Sequence, residues 1–342
     1  MRYIGAKNNL LVEIEKSIKR HGKNYKSFCD IFSGTASVAN YFKKDYQVIS
    51  NDLLYFSYTI QKAIVELNEK PKFDNLIKVT GINPFVLFAT LDEAKFDFKS
   101  TPFIYENYSP TVDCTRQYIT NRNALRIDSI RQTIENWKVD NLINDGEYFY
   151  LIAGLVEAVP FISNIAGTYG AYLKHWDSRC HKLLVPIQME VTNNNQKNIC
   201  FNLNSNELIQ NINGDILYID PPYNGRQYLA NYHLLETIAK YDNPQIKGVT
   251  GIRLDKSASS DYCKKNKVNI EFEELIQKAN FKLIVLSYSN EGIMKEDEII
   301  AILEKYGNKK TLSVDKIPYR RYKRTVDNVA HNLNELIFTI EK

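Results

Sequence analysis

The chain has 342 residues, 44% of them hydrophobic and 25% charged, which is ordinary for a soluble globular protein of about two domains. The five cysteines are scattered without a C-x-x-C spacing, which argues against a zinc site and a disulfide framework, and their odd number fits a reducing compartment. Net charge +4 permits a nucleic-acid partner without demanding one. No apolar core follows Met1 as in a signal peptide, and no stretch approaches the length of a membrane span, so the expected location is cytoplasmic. The 23 tyrosines suit base stacking, but core and surface filling accounts for most of them.

Leu10, Leu11, Ile14 and Ile18 follow helical spacing and predict an amphipathic helix over 9–21. Phe28 to Phe32 reads as a short strand, Ser33-Gly34-Thr35 as a turn, Ser37 to Phe42 as a helix and Gln47 to Ser50 as a second strand. This βαβ order implies a parallel sheet with a right-handed crossover. A further helix is expected over 56–68. From 71 to 195 strand-like alternation is scarce. Helices are expected at Asn121–Trp137, where Arg, Lys and Glu separate the apolar positions, and at Tyr148–Val159 behind a capping stretch, Asn144 to Glu147. Ser163 to Gly170 breaks into a glycine-containing loop. Strands resume at about 199–203, 215–219 and 282–288. The expected organisation is one sheet built from 1–70 and 196–342, interrupted by a mainly helical domain over 71–195.

Asp220-Pro221-Pro222-Tyr223 follows the strand Asp215 to Ile219 directly. Prolines lack N–H donors and fix φ, so the ladder stops there, and the residue before them is pushed to an extended conformation. Asp220 is thereby held at the carboxyl end of a strand, where open α/β sheets bind ligands. A carboxylate, a carbonyl and a flat ring suit an exocyclic amine on a planar base. A proline-stiffened turn over a buried Tyr is the plainer alternative. The turn after the first strand has too few glycines for the dinucleotide fingerprint. It is similar to the looser turn of methyltransferases that bind S-adenosylmethionine. Asp52, about 20 residues further on, is placed to accept from a ribose diol; an Asx turn or helix N-cap accounts for it equally well.

Four blocks resemble the N6-adenine DNA methyltransferases, the group of the bacterial Dam enzymes and of the modification enzymes of type IIS restriction systems. They are Arg2 to Lys7, Asp30 to Thr35, Asn51-Asp52, and Asp215 to Tyr223. The runs Asn224 to Ile238 and Leu286 to Gly292 are similar to the modification-enzyme branch. The block order matches the α arrangement, with recognition sequence between the cofactor and catalytic halves. The resemblance implies a class I methyltransferase fold, a Rossmann-like doubly wound sheet with an inserted target-recognition domain. It implies S-adenosylmethionine as cofactor, held by Tyr3, Lys7, Asp30, Phe32, Ser33, Gly34, Thr35, Asp52 and Asp220. Asn204 stands where the family usually has an acid for the cofactor's adenine; an amide still accepts a hydrogen bond. Without the resemblance, Lys7 reads as a solvated charge and Tyr3 as an anchor at a helix start.

The implied reaction is methyl transfer to adenine N6 of double-stranded DNA, with Asp220, Pro221, Pro222 and Tyr223 as the catalytic group. Asp220 and the Pro221 carbonyl accept the two amine hydrogens and aim the nitrogen, so catalysis is mostly orientation and electrostatics. The base must be flipped out, and Tyr223 can stack on it. No metal is needed. For DNA contacts the candidates are Asn164 and Tyr169, in a loop similar to one near the target base, with Arg226, Arg320, Arg321, Lys323 and Arg324. The last four, interleaved with Tyr319 and Tyr322, suit phosphates, and a charged edge strand explains them as well. Lys256 to Lys267 reads as a polar, mobile segment. A cognate restriction endonuclease is an expected partner. The competing readings are methylation of RNA adenine or cytosine N4, a catalytically silent DNA-binding module and, more distantly, a nicotinamide dehydrogenase.

Overall fold

The computed structural model describes residues 5, 7–255, 258–318 and 334–342. The chain divides into a unit of residues 7–53, 194–227 and 260–342 and a unit of 1–6, 54–193 and 228–259. Among the described residues the strands are, in chain order, β1 (Ser27–Asp30), β2 (Gln47–Asn51), β3 (Ile199–Phe201), β4 (Asn213–Ile219), β5 (Ile246–Lys247), β6 (Ile252–Arg253), β7 (Asn280–Ser289), β8 (Ser313–Pro318) and β9 (Asn334–Glu341).

The first unit holds a seven-stranded sheet in the order β3-β2-β1-β4-β7-β9-β8. Its first five strands are parallel neighbours, and β9 runs antiparallel to both β7 and β8. This is the doubly wound α/β sheet expected from the sequence, with an antiparallel closing strand added. Chain order reverses at β1, so the carboxyl ends of β1 and β4 flank a crevice.

Strand β4 is buried on both faces, as central parallel strands are. Ile216 and Tyr218 enter one core with Ile14 and Ile18 of the helix Leu11–Lys19 and Phe42 of the helix Ser37–Phe42. Leu217 and Ile219 enter the opposite core with Phe272, Leu275 and Ile276 of the helix Val268–Lys278 and Leu303 of the helix Glu296–Tyr306. Each such side chain contributes about 1.5–3 kcal/mol on burial. Both faces are thereby committed to packing, and only the strand ends remain for chemistry.

The second unit is mainly helical. Its longer helices are Asn121–Val139, Asp145–Ala158 and Tyr228–Lys240, with the β5–β6 hairpin behind the last. Residues 71–193 of the expected insertion lie within it, together with the helix Tyr55–Gln61. The Asn144–Glu147 capping box forms as anticipated. The expected helix over 56–68 is α-helical only to Gln61 and then widens to a π-helical turn, Lys62–Glu66. Buried charges of the Asn121–Val139 helix hold the ends of other elements. Asp128 accepts the N–H groups of Ile104 and Tyr105 at 3.1 and 2.9 Å, capping the helix Phe103–Tyr108. Arg126 donates to the carbonyls of Leu184 and Leu91 at 2.6 and 2.7 Å, and Arg131 to that of Ile238 at 2.9 Å. Glu236 caps the helix Tyr55–Gln61 in the same way, accepting from the N–H groups of Tyr55 and Phe56 at 3.1 and 3.0 Å.

Candidate active site

Strand β4 carries its apolar run through Ile219 and ends where Pro221 and Pro222 begin. The Asp220 side chain sits at that edge with 17% of its surface exposed. The Tyr223 carbonyl accepts the Ile293 N–H at 3.1 Å, which pins the proline loop beside the turn after β7. The Tyr223 ring packs half-buried against the core below.

Lys7 is 4% exposed, so it is no solvated charge. Its Nζ lies 3.3 Å from Asp220 Oδ1 and 3.0 Å from Glu335 Oε2, and 5.8 Å from the centre of the Tyr223 ring. Burial disfavours the ammonium, but Asp220 and Glu335 outweigh it and raise the Lys7 pKa above the ordinary lysine value. Burial likewise disfavours the Asp220 carboxylate and pushes its pKa up to about 7; Lys7 opposes that shift and Glu335 adds to it. Glu335 is a member of the site that sequence reasoning missed. The one available signal was an acid at the mouth of a final apolar run, Leu336 to Ile340.

At the end of β1, Asp30 is 1% exposed. Its Oδ2 accepts the Ser33 hydroxyl at 3.0 Å and the Ala39 N–H at 3.2 Å. Its Oδ1 is buried and meets no hydrogen-bond donor among the described residues. Gly34 adopts φ +50°, a conformation that favours glycine, and donates its N–H to Asp52 Oδ2 at 2.8 Å. Asn51 joins three strand ends: its Nδ2 donates to Ile31 O and Leu203 O at 3.1 Å each, and its Oδ1 accepts the Leu203 N–H at 3.0 Å. Phe32 packs edge-on against Tyr262 at 4.9 Å, and Thr35 is half-buried on the turn. Asn204 is exposed, and its oxygen caps the turn of helix Ser205–Leu208 by accepting the Asn206 N–H at 2.8 Å.

The structure thus brings Lys7, before the first helix, into one unit with Asp30, Phe32 to Thr35, Asp52, Asn204 and Asp220 to Tyr223, on the segments that end β1, β2, β3 and β4. Arg226, in the same unit, is exposed behind an Asx turn made by Asn224. In the helical unit, the DNA-contact candidates Asn164 and Tyr169 are buried. Asn164 donates to Leu173 O and accepts the Asp177 N–H, and Tyr169 hydrogen-bonds Ser163. Their loop presents Ala166, Gly167 and Gly170 instead. Tyr3, Arg320, Arg321, Lys323 and Arg324, like Tyr319, Tyr322 and Lys256, lie outside the described residues. From Asp261 the expected mobile segment is ordered, with a helical turn at Asp261–Cys263.

A doubly wound sheet with an acidic proline-stopped strand beside a one-glycine turn defines a class I methyltransferase. The chain belongs to the D12 class of N6-adenine-specific DNA methyltransferases, whose family model matches residues 3–302. It is 50% identical over its whole length to the type II methyltransferase M.FokI of Planomicrobium okeanokoites and 43% identical to the modification methylase StsI of Streptococcus sanguinis. It spans about half the length of both, 53% and 52%. The type II methyltransferase M.NlaIII of Neisseria lactamica is 36% identical and is covered over 99% of its length.

Proposed function

We propose that this chain transfers the methyl group of S-adenosylmethionine to N6 of a flipped-out adenine in a specific duplex DNA sequence, as the modification enzyme of a restriction–modification system. The observation that carries the reading is the Asp220 carboxylate, solvent-reachable at the carboxyl end of β4 and followed by a carbonyl whose chain has no competing N–H. The family match and the names of the relatives support the substrate class. DNA is the partner, with a cognate endonuclease beside it, and the cytoplasm of a bacterial cell is the compartment. The helical unit, with residues 71–193 of the expected insertion inside it, serves target recognition.

The residues fit the cofactor. The buried, unpartnered Asp30 Oδ1 calls for a donor, since leaving such an oxygen unmet costs about 1–3 kcal/mol, and an amino-acid ammonium supplies one. Asp52 is held at the neighbouring strand end, within a turn whose single glycine lets the chain pass close. Tyr3, Lys7, Phe32, Ser33, Gly34, Thr35 and Asn204 complete the proposed contacts. When bound, S-adenosylmethionine supplies a methyl group on a cationic sulfur.

Asp220 and the Pro221 carbonyl then accept the two amine hydrogens, which concentrates electron density on nitrogen and fixes its line of attack. With the cofactor bound, the aimed nitrogen would take the methyl group from its sulfur, the C–N bond forming as the S–C bond breaks, and one amine proton would leave to Asp220 or to water. Tyr223 stacks on the base. Arg226 and the cluster Arg320, Arg321, Lys323 and Arg324 are proposed phosphate contacts, and the loop of Asn164 and Tyr169 a backbone contact near the base.

Tritiated methyl transfer into duplex DNA tests the reading, with the product digested to nucleosides. Label in N6-methyladenine, lost in Asp220→Ala while cofactor binding persists, is the expected result. Label in cytosine, transfer confined to RNA, or undiminished transfer by Asp220→Ala would overturn it.

A further inference from the structure

Glu335 lies at the start of β9, the strand that runs against its parallel neighbours. Such a strand brings its first residues, rather than its last, to the edge where the parallel strands finish. Glu335 accordingly pairs with Ser289 at the end of β7. Its side chain is 10% exposed and meets the ammonium that also meets Asp220. Segments around residues 7, 220 and 335 thus converge on one cation.

The adenine-methylation reading underlies the next step. We infer that Glu335 is a positioning residue for that reaction: it shares Lys7 with Asp220 so that an Asp220 oxygen remains available to accept from the incoming amine. A buried one-to-one pair of Lys7 with Asp220 would be neutral and tightly closed, because charges attract strongly where water is scarce. It would occupy the very oxygen that the amine needs. With Glu335 the trio carries two carboxylates and one ammonium. Lys7 then keeps an acceptor when Asp220 turns to the base. The family match ends at residue 302, so Glu335 falls outside the stretch that identifies the family.

The charged and titratable groups that act on Asp220 or respond to it come from several elements. They are Lys7 from the segment before the first helix, Asp30 from β1, Tyr218 from β4 and Glu335 from β9. Of these, Glu335 pushes the Asp220 pKa up and Lys7 pulls it down. Removing the charge of Glu335 while keeping Lys7 must therefore lower the Asp220 midpoint.

The experiment is a carbon-13 carboxyl titration of Asp220 by NMR in the full chain, with the resonance assigned by its loss in Asp220→Asn. In Glu335→Gln the midpoint moves to lower pH than in the wild type. An unchanged or raised midpoint overturns the proposal. In steady-state methylation at saturating DNA and cofactor, Glu335→Gln lowers kcat about tenfold, the scale of a misplaced reacting group. Lys7→Gln removes the intermediary, so adding Glu335→Gln to it costs less than about twofold more. Losses that multiply independently overturn the proposal.

If Glu335→Gln does not fold, Glu335→Asp carries the test. It keeps the charge and the midpoint but shortens the arm, so kcat falls, and an unaltered kcat overturns the proposal. Wild-type protein that methylates no DNA adenine would sink the adenine reading instead, and the NMR midpoints would still decide the coupling of the three side chains.

Discussion

Gly34 donates its backbone N–H to Oδ2 of Asp52 at 2.8 Å, tying the turn after β1 to the residue after β2. Sequence left Asp52 open between a ribose acceptor and a local cap. The structure adds a bond across strands that neither reading contained, and an acceptor held in this way is preorganised for a diol. Asp52→Asn keeps an acceptor for Gly34 but loses the charge, and is expected to weaken S-adenosylmethionine binding about tenfold. Asp52→Ala loses the turn as well and should cost about a hundredfold. Calorimetric titration with the cofactor decides the matter, and wild-type affinity in Asp52→Ala would remove the ribose role.

Asp30 gives a pH prediction with a definite sign. Burial is the main cause that pushes its carboxyl from an ordinary 3.8 up to about 8; the Ser33 hydroxyl and Ala39 N–H oppose the shift, and Asp220 and Asp52 add to it. The folded state therefore favours the neutral acid. The contribution of this group to stability is complete below the unfolded pKa and is lost as pH rises through the folded one. Asp30→Asn fixes a neutral side chain, so its Tm should gain on the wild type between about pH 4 and about pH 8. Thermal melts across that range check it, and parallel Tm curves for the two proteins would refute the assignment.

The parts of the site legible in the sequence are those encoded by neighbours in the chain. A strand stopped by Pro221-Pro222 needs no tertiary information to place Asp220 at its end. The βαβ order from Phe28 to Ser50 likewise fixes a parallel pair. Glu335 was not legible, because its partner Lys7 is 328 residues away and the reversed direction of β9 is a property of the whole sheet. Lys7 looked solvated for the same reason. The Asn121–Val139 helix misled differently. Its charged positions resemble a wet face, yet Arg126, Asp128 and Arg131 are buried and meet the ends of other elements. Asn164 and Tyr169 follow suit: both are buried, the Asn164 amide bonded to backbone groups of Leu173 and Asp177 and the Tyr169 hydroxyl to that of Ser163.

Glu236 tests this use of buried charge. It is fully buried, and both carboxylate oxygens accept N–H groups at the start of the Tyr55–Gln61 helix. Glu236→Gln keeps one acceptor and turns the other into a donor facing an N–H. The loss of a charge-assisted bond is expected to cost about 2 kcal/mol. Urea unfolding measures it, and a loss under about 0.5 kcal/mol, the range of ordinary surface substitutions, would show that the cap contributes little.

Gly154 is the sharpest packing test, because two general rules oppose each other there. It lies inside the helix Asp145–Ala158, where alanine is favoured over glycine by about 1 kcal/mol. The segment around Ile187 crosses the helix at this point: the Ile187 N–H donates to the Gly154 carbonyl at 2.9 Å, and Tyr150 donates its hydroxyl to Met189 O at 2.7 Å. A Cβ on Gly154 would stand 2.4 Å from the Ile187 carbonyl oxygen. That atom is backbone and cannot swing aside as a side chain does, so the crossing segment must lift. Overpacking of this kind costs about 1–3 kcal/mol, which outweighs the helical gain. Gly154→Ala should therefore be less stable to urea than the wild type, with faster proteolysis confined to residues 183–190. A variant as stable as the wild type would mean that the crossing is looser than the contact implies.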